Sequence, residues 1–92
     1  MGAYLTIPGV VESETLHSFQ RETDGLTFGI TFDVGPTATE LMHAAETGSK
    51  YDLVVLTTDG GIIALDDVYV ASLSLSGSGA AASLQAREVR FV

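Results

Sequence analysis

The chain has 92 residues, 12 acidic and 4 basic, a formal net charge of −8, 46 % hydrophobic residues and only 17 % charged ones. So apolar a chain is not a disordered acidic tail, and its length fits one domain that buries roughly 60–65 % of its unfolded surface. The scarcity of Lys and Arg argues against a nucleic-acid partner or an anionic membrane, and the absence of Cys leaves no disulfide and no thiolate chemistry.

Ala3 to Ile7 reads as a short strand closed by Pro8-Gly9, with Val10 and Val11 extending the pairing. Thr15 to Glu22 is a second strand, with His17, Phe19 and Arg21 expected on one face and Leu16, Ser18 and Gln20 on the other. Asp24-Gly25 is a turn signal. The clearest strand follows: Leu26, Phe28, Ile30, Phe32 and Val34 alternate with Thr27, Gly29, Thr31 and Asp33, a period of two with one wholly apolar face. Gly35-Pro36 stops it.

One helix is expected next. Thr37 stands as an N-cap with Glu40 three residues on, a capping box. Ala38, Leu41, Met42 and Ala45 share a face, and Gly48 sits where a left-handed C-cap belongs. A helix this short needs packing to persist, so its apolar stripe must lie on the sheet. The rest is strand. Tyr51 to Thr57 is rich in branched and aromatic residues, Asp59-Gly60-Gly61 is a tight turn, and Ile62 to Leu65 leads into Asp66-Asp67. Val68 to Leu75 alternates, with a bulge expected near Ala71-Ser72. Ser76 to Ala80 is a turn, and Ala82 to Val92 a last strand that changes face near Glu88. Together these predict a mainly β fold: a small antiparallel barrel of about six to seven strands with one short α-helix, as one domain over 1–92.

Few residues offer chemistry. His17 and His43 lie on different elements, whereas zinc needs three or four ligands, so no metal or cofactor is expected. Adjacent strand residues point to opposite faces, so Asp66 and Asp67 would not share an acid–base site, and a turn or edge role is expected for them. The glycine-rich turns carry no lysine and open no helix, so they make no phosphate cradle. No Ser or Thr has an evident base, and no enzyme activity is expected. Ser72, Ser74 and Ser76 do form a small-polar stripe opposite Leu73 and Leu75, and Thr27 and Thr31 form another opposite Phe28 and Ile30. Two readings stand open: faces that pack on a neighbour or line a cavity, or ordinary solvated sheet. Strand preference explains the Thr but not the Ser.

Three segments carry a family resemblance: A-Y-L-T-I-P-G-V-V-E-S-E (3–14), the strand, helix and G-S-K-Y stretch over 26–52, and L-D-D-V-Y-V-A-S-L-S-L-S-G-S-G (65–79). Their order and spacing resemble the haemolysin-coregulated proteins, the tube proteins of type VI secretion, and the related phage and contractile-injection tube proteins. The resemblance implies a β-barrel flanked by a helix, a ring of six copies and rings stacked into a tube. It also implies sheath, spike or effector partners and a cytoplasmic protein exported through the apparatus. MGAYLTIPGV has no basic region followed by an apolar run, so no signal peptide is expected. No apolar run is long enough for membrane insertion. Where family chains have a long excursion, this one has only Thr23-Asp24-Gly25 between Glu22 and Leu26, so stacking is expected to be altered.

The positions expected at a subunit contact are Tyr4, Thr6, Thr27, Thr31, Asp33, Glu40, His43, Ser72, Ser74 and Ser76. The alternative is a monomeric or dimeric adaptor or ligand-binding barrel, marked by a concave apolar cavity with convergent polar groups. A ring of six would carry −48, six times −8, and like charge opposes its assembly most at low salt.

Overall fold

The computed structural model describes residues 2–92. Its elements run β1 (Ala3–Ile7), β2 (Val11–Arg21), β3 (Thr27–Asp33), α1 (Pro36–Thr47), β4 (Lys50–Thr58), β5 (Gly61–Ser76), β6 (Gly79–Gln85) and β7 (Glu88–Phe91). All pairings are antiparallel. Around the barrel the order is β4-β1-β2-β3-β6-β5, and a β4–β5 pairing closes it; β7 adds as a seventh strand on β5. Closure removes most of the unpaired edges that an open sheet would expose.

Period-two patterning decides which side chains face in. On β3, Phe28, Ile30 and Phe32 are buried against Leu84, Ala82 and Ala80 of β6. Leu5 and Ile7 of β1, Val54 and Leu56 of β4 and Leu65, Val68 and Val70 of β5 complete the interior. The barrel is therefore filled by its own side chains.

Register slips set what faces out; one lies in the β1–β2 pairing between Leu5 and Ile7. On β2 the register slips between Leu16 and Ser18. Leu16 is buried and Phe19 packs on the core, while Ser18 and Gln20 are exposed. Strict alternation would have put Phe19 with His17; the extra residue at His17 moves every later side chain of the strand to the other face. On β5 the expected slip appears between Val70 and Ser72.

β5 is also longer than its sequence indicated, running through Asp66-Asp67 without a turn. Asp67 takes a left-handed φ of 55°. Its first half pairs with β4 and β7, its second half with β6. The change of face expected near Glu88 is the break at Ala86-Arg87 that separates β6 from β7.

The helix end is as the sequence indicated: Gly48 is left-handed (φ 70°) and its N–H reaches the Ala44 carbonyl. The helix start is different. Its N-cap is Gly35, which supplies no side chain, and Pro36 occupies the first turn, where a missing N–H costs nothing. Thr37 lies inside the helix and donates its hydroxyl to Glu14 of β2 at 2.5 Å, while Glu40 accepts from the Tyr51 hydroxyl of β4 at 2.8 Å. Both capping-box residues are thus spent on tying the helix to the barrel. Ala38, Leu41 and Ala44 are buried in the core.

Candidate subunit interface

The outward side chains of β2, β3, β6 and the second half of β5 align in cross-strand rows. One row is Ser18–Thr31–Ala81–Ser74, the next is Gln20–Gly29–Ser83–Ser72, and a third is Asp33–Gly79–Ser76. Thr27 lies opposite Gln85, which lies opposite Tyr69. Ser18 and Thr31 share a hydroxyl–hydroxyl bond of 2.6 Å, and the Tyr69 hydroxyl donates to Gln85. This wall, here called face A, is small, polar and neutral at its centre. A shallow hollow of about 290 Å³ runs over it, with Glu22 at its margin.

A second wall forms from β1, β4, the first half of β5 and β7. Its rows are Tyr4–Thr57–Ile62, Thr6–Val55–Ala64–Arg90 and Leu53–Asp66–Glu88. Face B is aliphatic and hydroxylated at its centre, with charge only along one margin. There Arg90 donates to both carboxylate oxygens of Asp66, at 2.7 and 2.9 Å. These bonds and the guanidinium charge hold the Asp66 carboxyl below its ordinary range. β3 and β4 stand three strands apart either way around the six-stranded closure, so the two faces lie on opposite walls.

Face A gathers six of the expected contact residues: Thr27, Thr31, Asp33, Ser72, Ser74 and Ser76. Tyr4 and Thr6 fall on face B. Glu40 and His43 join neither; Glu40 is engaged by Tyr51 and His43 is exposed on the helix. That helix bond, together with burial, pushes the Tyr51 phenol well above the ordinary tyrosine range, burial being the larger cause. Sequence reasoning missed Ser18, Gln20, Gly29, Ala81 and Ser83 on face A. Ala81 and Ser83 were legible as the partners out of phase with Ala82 and Leu84; Ser18 was hidden by the β2 bulge. It also missed Leu53, Val55, Thr57 and Ile62 on face B, where both sides of the strand are apolar and alternation carries no signal.

Asp66 pairs with Arg90, while Asp67 lies 4.0 Å from Lys50, so the two carboxylates have separate partners. Among the described residues no three His, Cys, Asp or Glu side chains come together in a way that could hold a metal ion. No described helix is long and apolar enough to cross a membrane.

A closed antiparallel barrel of six strands, an added seventh strand, one helix and two opposed charge-poor walls define the architecture. No protein-family model matches the chain, and no curated protein matches its sequence. Solved structures match it closely in shape. Hcp2 from Salmonella typhimurium superposes with a TM-score of 0.89 at 14 % identity, over 99 % of this chain and 85 % of that one. Hcp3 from Pseudomonas aeruginosa gives 0.78 at 13 %, over 96 % and 87 %. A type VI secretion system effector from Yersinia pestis gives 0.79 at 10 %, over 98 % and 96 %. The fold is the Hcp fold.

Proposed function

We propose that this chain is a non-enzymatic structural subunit that closes into a homo-oligomeric ring, face A of one copy seating on face B of the next. The observation that carries this reading is the pair of walls on opposite sides of one barrel, each free of charge at its centre. A contact between two different patches is heterologous, and a heterologous contact whose rotation closes makes a ring. A monomer gains nothing by clearing charge from two opposed faces, and interface centres are depleted in charged residues. The likeness to Hcp structures favours a ring of six, stacked into the inner tube of a type VI secretion or related contractile injection system. Sheath, spike or effector proteins would be its partners there, with assembly in the cytoplasm and export through the apparatus.

The test is native mass spectrometry with negative-stain microscopy of the purified chain. Closed rings of uniform number are expected, with or without stacking. A strict monomer at high micromolar concentration overturns the reading. The ligand-binding alternative finds no support in the barrel interior, which Phe28, Phe32, Leu56, Leu65 and Leu84 fill completely buried.

A further inference from the structure

We propose that β7 is a strap that opens on its own from a barrel that stays closed, and that Arg21 of β2 is the latch that holds it shut. No second copy is involved. The barrel closes through the β4–β5 pairing, and β7 takes no part in that closure. Among the described residues β7 pairs with β5 alone, over Glu88 to Phe91. The strand β3, which pairs along the far edge of β6, reaches only as far as Thr27 opposite Gln85. Leu26 adds one last bond, its carbonyl accepting from the Ala86 amide at 2.8 Å. The chain then turns at Asp24-Gly25, and the edge of β7 beyond Ala86 has no strand beside it.

Little else fastens the strap. Side chains alternate along it. Glu88 and Arg90 face out, and Arg90 is tied to Asp66. Val89 and Phe91 face the other way; Val89 packs on the core, but Phe91 lies past its end and is 63 % exposed. Arg21 supplies the contact that Phe91 otherwise lacks. It stands opposite the buried Phe28 at the end of β2, and its guanidinium carbon lies 4.8 Å from the centre of the Phe91 ring. The turn that follows aims it there, because Arg21 Nε donates to the Gly25 carbonyl at 3.1 Å. Gly25 has a φ of 76°, and a Cβ on it would stand 3.1 Å from Arg21 Nη2. The Asp24 carboxylate fixes the turn itself through the Leu26 and Thr27 amides. An arginine held by the β2–β3 turn thus reaches across to a strand that does not pair with it.

The strap covers an edge of β5. The Ile62 carbonyl accepts from the Val92 amide at 2.9 Å, and the Asp66 carbonyl from the Arg87 amide at 3.0 Å. Opening breaks these bonds and bares a run of unpaired backbone, which is a template for pairing with another chain. Short end elements with few buried apolar contacts open locally, well below the free energy of global unfolding. Ala86, buried and bonded to Leu26, is the fixed point from which the strap swings.

The test is native-state amide hydrogen exchange of the full chain, read residue by residue by nuclear magnetic resonance, at fixed protein concentration and rising sub-denaturing urea. In wild type the Arg87 and Val92 amides should exchange through an opening that urea barely affects, while those of Phe28, Ile30 and Phe32 exchange with global unfolding. A cation over an aromatic ring at an exposed site corresponds to about a two- to fivefold change in an equilibrium constant. Arg21→Gln should therefore speed exchange at Arg87 and Val92 by about two- to fivefold. Phe91→Leu, which keeps an apolar side chain but removes the ring, should do the same. The double variant should be no faster than either single one, since both remove one contact. Lys50→Gln makes the same charge change away from β7 and should leave these amides as in wild type. Arg87 and Val92 amides that exchange only with global unfolding overturn the strap. An Arg21→Gln variant with unchanged exchange there, or a double variant whose effect is the product of the two single ones, overturns the latch.

Discussion

Replacing Ala81 by lysine is the sharpest test of face A. Ala81 is exposed, points outward and lies in the middle of a cross-strand row between Thr31 and Ser74. A stable contact covers about 800 Å² per partner. One on each wall claims about 30 % of the 5194 Å² surface, so Ala81 lies well inside the covered area. Burying an unpaired ammonium costs several kcal/mol even after relaxation. Taking about 3 kcal/mol, association falls about hundredfold, since each 1.4 kcal/mol is a factor of ten. The lone subunit is barely affected, because exposed substitutions of this kind change stability by about 0.5 kcal/mol or less. The substitution also discriminates between two forces. It lowers the net charge from −8 to −7, which on repulsion alone should help assembly. Thr23→Lys makes the same charge change in the β2–β3 turn, off both faces, and serves as the control. Sedimentation velocity at fixed salt should show Thr23→Lys assembling at least as well as wild type and Ala81→Lys as monomer. Equal assembly of the two variants would refute the assignment of face A.

Added salt should strengthen assembly, since it screens −8 per copy; rings that dissociate as salt rises would contradict this. Tyr51→Phe should cost about 1.5 kcal/mol in denaturant unfolding, the usual worth of a hydrogen bond to a charged group. The same variant should flatten the alkaline limb of stability. The Tyr51 phenol is raised in the fold, so its contribution is complete below the unfolded tyrosine value near pH ~10 and is lost above it. Asp24 accepts from the Thr27 hydroxyl and from the Leu26 and Thr27 amides, which lowers its carboxyl below the ordinary range. Its stabilisation is therefore present above the unfolded aspartate value and lost as pH falls through the lower folded one. Asp24→Asn should flatten part of the acid limb, and an unchanged limb would count against the turn's role. Phe32→Ala empties a fully buried site and should cost about 3–5 kcal/mol, enough to leave little folded protein at 37 °C by circular dichroism.

Turns and one strand were plain in the sequence. Asp24-Gly25, Gly35-Pro36 and Asp59-Gly60-Gly61 are read from backbone preferences that act within a few residues, and the structure turns at each. The Phe28–Ile30–Phe32 alternation has a single polar–apolar solution. The helix start misled because Thr37 and Glu40 have local partners available as caps and distant partners in Glu14 and Tyr51, and the distant ones prevailed. The β2 faces misled because a bulge adds one residue with no local signature. β5 misled because Asp66-Asp67 has turn composition, yet Arg90 and Lys50 stand within reach of the two carboxylates inside a continuous strand.

The sequence by itself determined a small β-rich domain, its turns, the left-handed helix stop at Gly48 and the presence of neutral Ser and Thr stripes. Those are properties of single residues and of neighbours two to four apart. Only the tertiary structure decided that the stripes of β3, β5 and β6 join with Ser18 and Gln20 into one wall, and that Tyr4 and Thr6 stand on the opposite one. Barrel closure by the β4–β5 pairing settles that, and it joins residues through hydrogen bonds between strands rather than through any local preference. The low charge fraction met at the outset is thus distributed unevenly: −8 lies around the margins and ends, and the two broad faces of the barrel are left nearly free of it.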